Sequence, residues 1–222
     1  MLPLRDVNPS RTFPLLTFFI IGLNVWFFWE NYQSSEAFAE ALLEYGYIPA
    51  EPFSIERVLT SMFMHGSWAH LLFNMWALWV FGDNVEDALG KVGYLVLYLT
   101  SGLGALVTHV VLYSHSEVPV VGASGAISGV MGAYLVLFPH AKIWTYVPPF
   151  YFTRLSAQFF LIMWFVLQLV QGILDKFADI FLGAAGGIAF AAHVGGFVVG
   201  WVLALLMRSG KGDREGPFDY LS

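Results

Sequence analysis

Six apolar stretches alternate with short polar segments along the chain, at about residues 13–29, 63–82, 92–113, 119–138, 155–174 and 180–207. A helix crossing a bilayer core needs about 20 mostly apolar residues, and each stretch is close to that length or beyond it. The pattern predicts an all-α polytopic membrane protein with six transmembrane helices, in which residues 1–222 form one membrane domain ending in a polar tail at 208–222. The spans differ in character. The fourth is small-faced, with Gly122, Gly125, Gly129 and Gly132, and the sixth carries Gly196 and Gly200 at GxxxG spacing, so neighbouring helices can approach both closely. The fifth is bulky, with Phe159, Phe160, Trp164 and Phe165, and is expected to be held more loosely.

The polar segments are shorter and less regular. Residues 1–12 are turn-forming, and Pro14 can begin the first helix because a proline there forfeits no needed hydrogen bond. Ala37 to Tyr45 has helical spacing of Phe38, Leu42 and Leu43 with acids between, an amphipathic piece fit to lie on a membrane surface or to cover a cavity. Pro139 to Arg154 reads as a loop.

Composition agrees with a lipid environment. Of 222 residues, 58% are hydrophobic, 18% aromatic and 12% charged, against about 25% charged in soluble domains. With no cysteine, disulfides and thiol catalysis are excluded. Ala37-Phe38-Ala39 loosely mimics a signal-peptide cleavage site but lies too far along the chain, so cleavage is not expected. The net charge of −6 matters less than its distribution. With the N-terminus inside, Arg5, Arg11, Lys91, Lys142, Arg154, Arg208, Lys211 and Arg214 all fall on the inner side, and only Arg57 and Lys176 fall outside. The positive-inside rule therefore predicts both termini in the cytoplasm.

Polar residues inside a membrane are costly and by default mark function. His70, Asn74, Ser124 and His193 come from three spans, and this topology brings all four to the outer half of the bilayer. At 1.5 Å per residue, Ser124 is expected on the order of 5–8 Å below the start of its span. A serine hydroxyl is weak until a base takes its proton, and imidazole is the usual base. Ser124 as nucleophile and His193 as base make a candidate dyad; neither the fourth nor the sixth span contains an Asp or Glu to serve as an orienting carboxylate. His70 and Asn74, four apart on one helix face, can donate to an oxyanion, as can the Ser124 amide. Ser128 lies one turn deeper and is the poorer nucleophile, and Asn24, His65 and His109 read as structural. A metalloprotease His-Glu-x-x-His is absent, no metal site is expected, and Gly210-Lys211-Gly212-Asp213 matches an aspartyl-protease motif only by letter, in the polar tail.

Gly122-Ala123-Ser124-Gly125, Ala192-His193 with Gly196 and Gly200, and His70-x-x-x-Asn74 together resemble the motifs of the rhomboid family of intramembrane serine proteases. Pro3-Leu4-Arg5-Asp6 with Asn8-Pro9 is similar to a prokaryotic branch. The resemblance implies a rhomboid-like bundle that cleaves a substrate's transmembrane helix near its outer end, with Ser124 and His193 catalytic and His70 and Asn74 at the oxyanion. Access would pass the fifth helix and the connection at Gly183 to Gly187. It implies a bacterial cytoplasmic (inner) membrane, a site opening outward, transmembrane protein substrates and membrane lipid as partners, no nucleic acid and no cofactor. Two features depart from the family. Glu56-Arg57 stands where the first loop often holds Trp-Arg, and Ser128 stands where several members carry an aromatic against the catalytic ring, so what holds His193 is open. The competing readings are a catalytically silent rhomboid-like adaptor that binds transmembrane helices, and a small-solute transporter, which would show internal repeats.

Overall fold

The computed structural model describes residues 1–149, 151–182 and 189–209. They are mostly helical. Three helices are long and apolar enough to cross a membrane: α4 (Trp68–Leu112), α6 (Ala157–Leu182) and α7 (Phe190–Ser209). Two more, α1 (Leu15–Asn31) and α5 (Ser124–Leu137), are apolar but shorter, and α2 (Ser35–Tyr45) and α3 (Ile55–Thr60) fill the connection between α1 and α4. At Gly90, with φ +73°, the 45-residue α4 breaks into two arms. That backbone region is open to glycine at little cost.

α5 sits at the centre. Eleven of its 14 residues are buried, as expected of a helix that is apolar all round. Glycines seat α7 against it. A β-carbon on Gly196 would overlap the carbonyl of Gly125, one on Gly200 would overlap Gly129, and one on Gly132 would overlap the carbonyl of Phe197. The same holds toward α4, where a β-carbon on Gly125 would strike Ala105. α6 is held more loosely, as its bulky sequence predicts: 17% of its most apolar window is buried, against 33% for α4 and for α7. Large apolar side chains such as Phe19, Trp26, Leu72, Leu103 and Leu174 stay exposed. In lipid this costs nothing, since the solvent is itself hydrocarbon.

At one end of the bundle lies a sheet absent from the all-α expectation. β1 (Leu2–Asp6), β2 (Lys142–Val147) and β3 (Tyr151–Ser156) pair antiparallel in the order β1-β2-β3, so both the N-terminal segment and the loop after α5 are strands. Asp6 ties this sheet to the bundle, accepting from the Tyr134 hydroxyl at 2.8 Å and from Asn84 Nδ2 at 2.7 Å. Pro14 offers no side-chain cap to α1. The cap comes from Glu86 of α4, whose carboxylate accepts from the backbone of Leu16 and Thr17 and from the Thr17 hydroxyl.

At the other end, Ser34, Ser54 and Ser67 cap α2, α3 and α4. The amphipathic piece expected at 37–45 is α2, with Leu42 lining the cavity described below. Arg57 pairs with Glu51, reaching back across the loop. The connection at Gly183 to Gly187 and the tail from Gly210 lie outside the described residues.

Candidate active site

Backbone turns and helix starts assemble the site. Val120 pairs with Tyr47 in an extended lead-in to α5. Gly122 then adopts φ +121° while its N–H donates to the Ser61 carbonyl at 2.8 Å. This turn, which suits only glycine, delivers Ser124 as the first residue of α5. Residues 119–123, expected within the span, precede the helix, so Ser124 stands at its mouth. The first N–H groups of a helix have no partner within it, which leaves the start of α5 rich in donors.

His193 lies in the first turn of α7, its N–H donating to the Ala189 carbonyl. The helix starts at Phe190, later than the span expected from residue 180. His193 Nε2 is 2.8 Å from Ser124 Oγ. Its Nδ1 is 2.7 Å from Oε1 of Gln168 on α6. A carbonyl oxygen only accepts, so with this pairing Nδ1 carries the ring proton and Nε2 offers its lone pair to the serine hydroxyl. Trp164 of α6 and Phe190 of α7 flank the imidazole, at ring-centroid distances of 6.1 and 6.3 Å. The aromatic surroundings missing at Ser128 are thus supplied by other helices. Ser128 itself is buried, and its hydroxyl donates to the Ser124 carbonyl at 2.6 Å, which leaves it a structural bond and no base.

The Ser67 cap accepts from the His70 N–H at 3.1 Å and holds that histidine in the first turn of α4. His70 Nδ1 accepts from the Gly66 N–H at 3.4 Å, so its Nε2 is the protonated nitrogen. That Nε2 faces the turn before Ser124: a β-carbon on Gly122 would lie 2.7 Å from it and 3.7 Å from Ser124 Oγ. Asn74, one turn on, is buried and lines the same cavity, with one amide hydrogen donated to the His70 carbonyl at 2.9 Å. His65 lies behind His70 at a centroid distance of 5.1 Å, while His109 stacks on Tyr113 at 4.9 Å.

Ser124, His193, His70 and Asn74 all border one cavity of about 790 Å3, which continues between the first arm of α4, at Phe73 and Trp76, and α6, at Phe160 and Trp164. A hydroxyl on an imidazole lone pair, beside donor groups and an apolar cleft, has the parts for acyl transfer. Among the described residues no group of His, Asp and Glu could hold a metal.

The family model of the Rhomboid domain matches residues 52–210, well over half of the chain. The chain belongs to the rhomboid family. Among curated relatives of this rhomboid, RHOMBOID-like protein 5 of Arabidopsis thaliana is 31% identical over 151 residues, covering 68% of this chain and 43% of that protein. The rhomboid protease AarA of Providencia stuartii is 31% identical over 160 residues, 65% of this chain and 53% of its own. The putative rhomboid protease YdcA of Bacillus subtilis is 40% identical over 93 residues, 39% and 44% respectively. This rhomboid thus spans about half the length of these relatives. Both Ser124 and His193 fall inside the matched region, as do His70, Asn74 and Gln168.

Proposed function

We propose that this rhomboid is an intramembrane serine endopeptidase that cleaves transmembrane segments of membrane proteins through a Ser124–His193 dyad. The observation that carries the reading is the 2.8 Å contact between Ser124 Oγ and His193 Nε2 at the head of the apolar cleft. In the reaction, Ser124 Oγ attacks the scissile carbonyl and its proton passes to His193 Nε2. The oxyanion takes hydrogen bonds from His70 Nε2–H, the remaining Asn74 amide hydrogen and the Ser124 backbone N–H. His193 then protonates the leaving amine, and a water activated by the same nitrogen hydrolyses the acyl-enzyme, restoring the hydroxyl. The dyad needs no cofactor.

The two arms of α4, together with α1, α5, α6 and α7, make six membrane-spanning segments, with 1–222 as one membrane domain. Arg5, Lys142 and Arg154 on the sheet and Lys91 at the break in α4 set that end in the cytoplasm. The dyad then opens to the outer side of a bacterial inner membrane. Substrate helices reach it through the cleft between the first arm of α4 and α6, where Phe73, Trp76 and Trp164 offer an apolar wall.

The test is labelling of the detergent-solubilised full chain with a fluorophosphonate probe. Wild type should label, while Ser124→Ala and His193→Ala should not, at unchanged melting temperature. Persistent labelling of Ser124→Ala would overturn the choice of serine. A folded wild type that neither labels nor cleaves a panel of transmembrane substrates in liposomes would favour an adaptor that binds helices without cutting them.

A further inference from the structure

Resting on the dyad reading, we infer that Gln168 is the positioning residue of this site and that, because it is carried on α6, the dyad is competent only while α6 is docked. No Asp or Glu lies in α5 or α7 to orient His193. The place that a carboxylate would take is filled by Gln168 Oε1, 2.7 Å from His193 Nδ1. An imidazole whose Nδ1 is left without an acceptor can move its proton to Nε2, and in that tautomer it cannot take a proton from Ser124. The amide oxygen prevents this. It does what a carboxylate does for the tautomer while adding no charge at membrane depth, where a charge is costly.

The location of Gln168 gives this bond a second consequence. α5 and α7 are locked together through Gly125, Gly129, Gly196 and Gly200, so Ser124 and His193 form a fixed pair. α6 is the least buried of the three long helices and forms one wall of the cleft. Its N-terminal end is tied to the segment after α5, the Ala157 and Gln158 N–H groups donating to the Ala141 and Pro139 carbonyls, and near its C-terminal end it meets Tyr113. There the Tyr113 hydroxyl donates to Asp175 Oδ2 at 2.9 Å, and Lys176 Nζ lies 4.4 Å from the Tyr113 ring centroid. A segment that widens the cleft by displacing α6 draws Gln168 off Nδ1. Chemistry then resumes only when α6 closes back over the bound segment. Water reaching an open site therefore meets a dyad without its orienting bond.

The experiment uses the full chain in detergent and the fluorophosphonate probe, measuring the maximal labelling rate and the half-saturating probe concentration separately from pH 5 to 9. Gln168→Met, close in volume and without an acceptor, should lower the maximal rate on the order of 100-fold with the half-saturating concentration unchanged, a loss in the general-base range. Gln168→Glu restores an acceptor and should retain the rate within about tenfold. Its new carboxylate favours the imidazolium, so the acidic limb of the rate profile should move up by roughly one pH unit. The other titratable side chains around the cavity, His70, His109, Tyr113 and Asp175, are common to all variants and do not produce that difference. A purely structural Gln168 would move neither the rate split nor the limb. Wild-type labelling by Gln168→Met, or a Gln168→Glu profile superimposable on wild type, overturns the inference. If Gln168→Met fails to fold in a melting assay, the Gln168→Glu limb decides alone. Labelling that is present in wild type and absent in Ser124→Ala, yet indifferent to Gln168, sinks the positioning role and leaves the dyad standing; labelling that survives Ser124→Ala sinks both.

Discussion

Gly196 rests directly on the carbonyl of Gly125, so closely that a β-carbon on Gly196 would overlap it. Gly125 follows Ser124, and Gly196 lies one turn after His193. The approach of α7 to α5 at this point therefore sets the 2.8 Å separation of hydroxyl and imidazole. Gly196→Ala should force the helices apart, at a cost of about 1–3 kcal/mol for overpacking. Misplacement by 1 Å costs about 100-fold in rate, so labelling by a fluorophosphonate should fall by that order. Thermal melting and labelling of the same preparation check both halves, and an unaltered labelling rate would mean that the helices accommodate the methyl elsewhere.

Gly122 carries a different constraint. Its φ of +121° disfavours any residue with a β-carbon, and that carbon would lie 2.7 Å from His70 Nε2. Gly122→Ala should cost about 1–3 kcal/mol in backbone strain and push the His70 ring away from the turn before Ser124. Loss of one oxyanion donor costs about 100- to 1,000-fold in rate. The expected result is a drop in cleavage rate that exceeds the drop in stability, with His70→Ala and the double variant no worse than either single one. Additive losses would show that Gly122 acts apart from His70.

Much of this arrangement is legible in the residues alone, and the rest is missing for identifiable reasons. Ser124, His193, His70 and Asn74 stand out because polar side chains are rare in apolar spans, and the structure gathers them around one cavity. Helix starts are less legible. Hydropathy does not separate the extended apolar lead-in at Pro119 to Ala123 from the helix it precedes, so the span read from residue 119 begins before the helix does. Gln168 is an amide among Phe165, Val166, Leu167 and Leu169, but Gln171 follows three residues on, and neither is the carboxylate that an orienting partner for His193 is expected to be. The strands of the sheet carry their own signal, since Ile143, Thr145 and Val147 alternate with Trp144 and Tyr146 in a β-branched and aromatic run. The pairing of that run with Leu2–Asp6 is a tertiary fact with no local pattern.

Asp6 makes stability depend on pH near neutrality. Burial raises its carboxyl from the ordinary 3.8 to about 7, against the opposing hydrogen bond from Tyr134, with the Asp83 carboxylate adding to the rise. The folded state therefore holds a proton that the unfolded chain gives up. That contribution is complete below about pH 4 and is lost as pH rises through 7. The melting temperature of the full chain in detergent should fall between pH 5 and 8. Asp6→Asn, neutral throughout and still able to accept from Tyr134, should flatten the curve over that window. A parallel fall in Asp6→Asn would assign the dependence to other groups.

Glu86 and α1 supply the last expectation. The carboxylate accepts from Leu16 N at 3.0 Å, Thr17 N at 2.8 Å and Thr17 Oγ1 at 2.8 Å, and it is 3% exposed. It satisfies the donors of a helix that its own sequence begins with Pro14 and leaves uncapped. Its charge also opposes the positive end of the helix dipole, worth about 0.3–1 kcal/mol or more where partly buried. Glu86→Ala leaves two backbone donors without a partner, while the Thr17 hydroxyl keeps the Tyr94 hydroxyl at 3.2 Å, and a hydrogen bond to a charged group is worth about 1.5–3 kcal/mol. Because the bonds share one carboxylate, a total near 3 kcal/mol is expected, with Glu86→Gln losing about half. Hydrogen exchange in detergent should show the first turn of α1 opening in Glu86→Ala while α5 and α7 stay protected, because their contact through Gly125 and Gly196 does not involve α1. Global loss of protection would mean that α1 docks as part of one cooperative unit with the helices that carry Ser124 and His193.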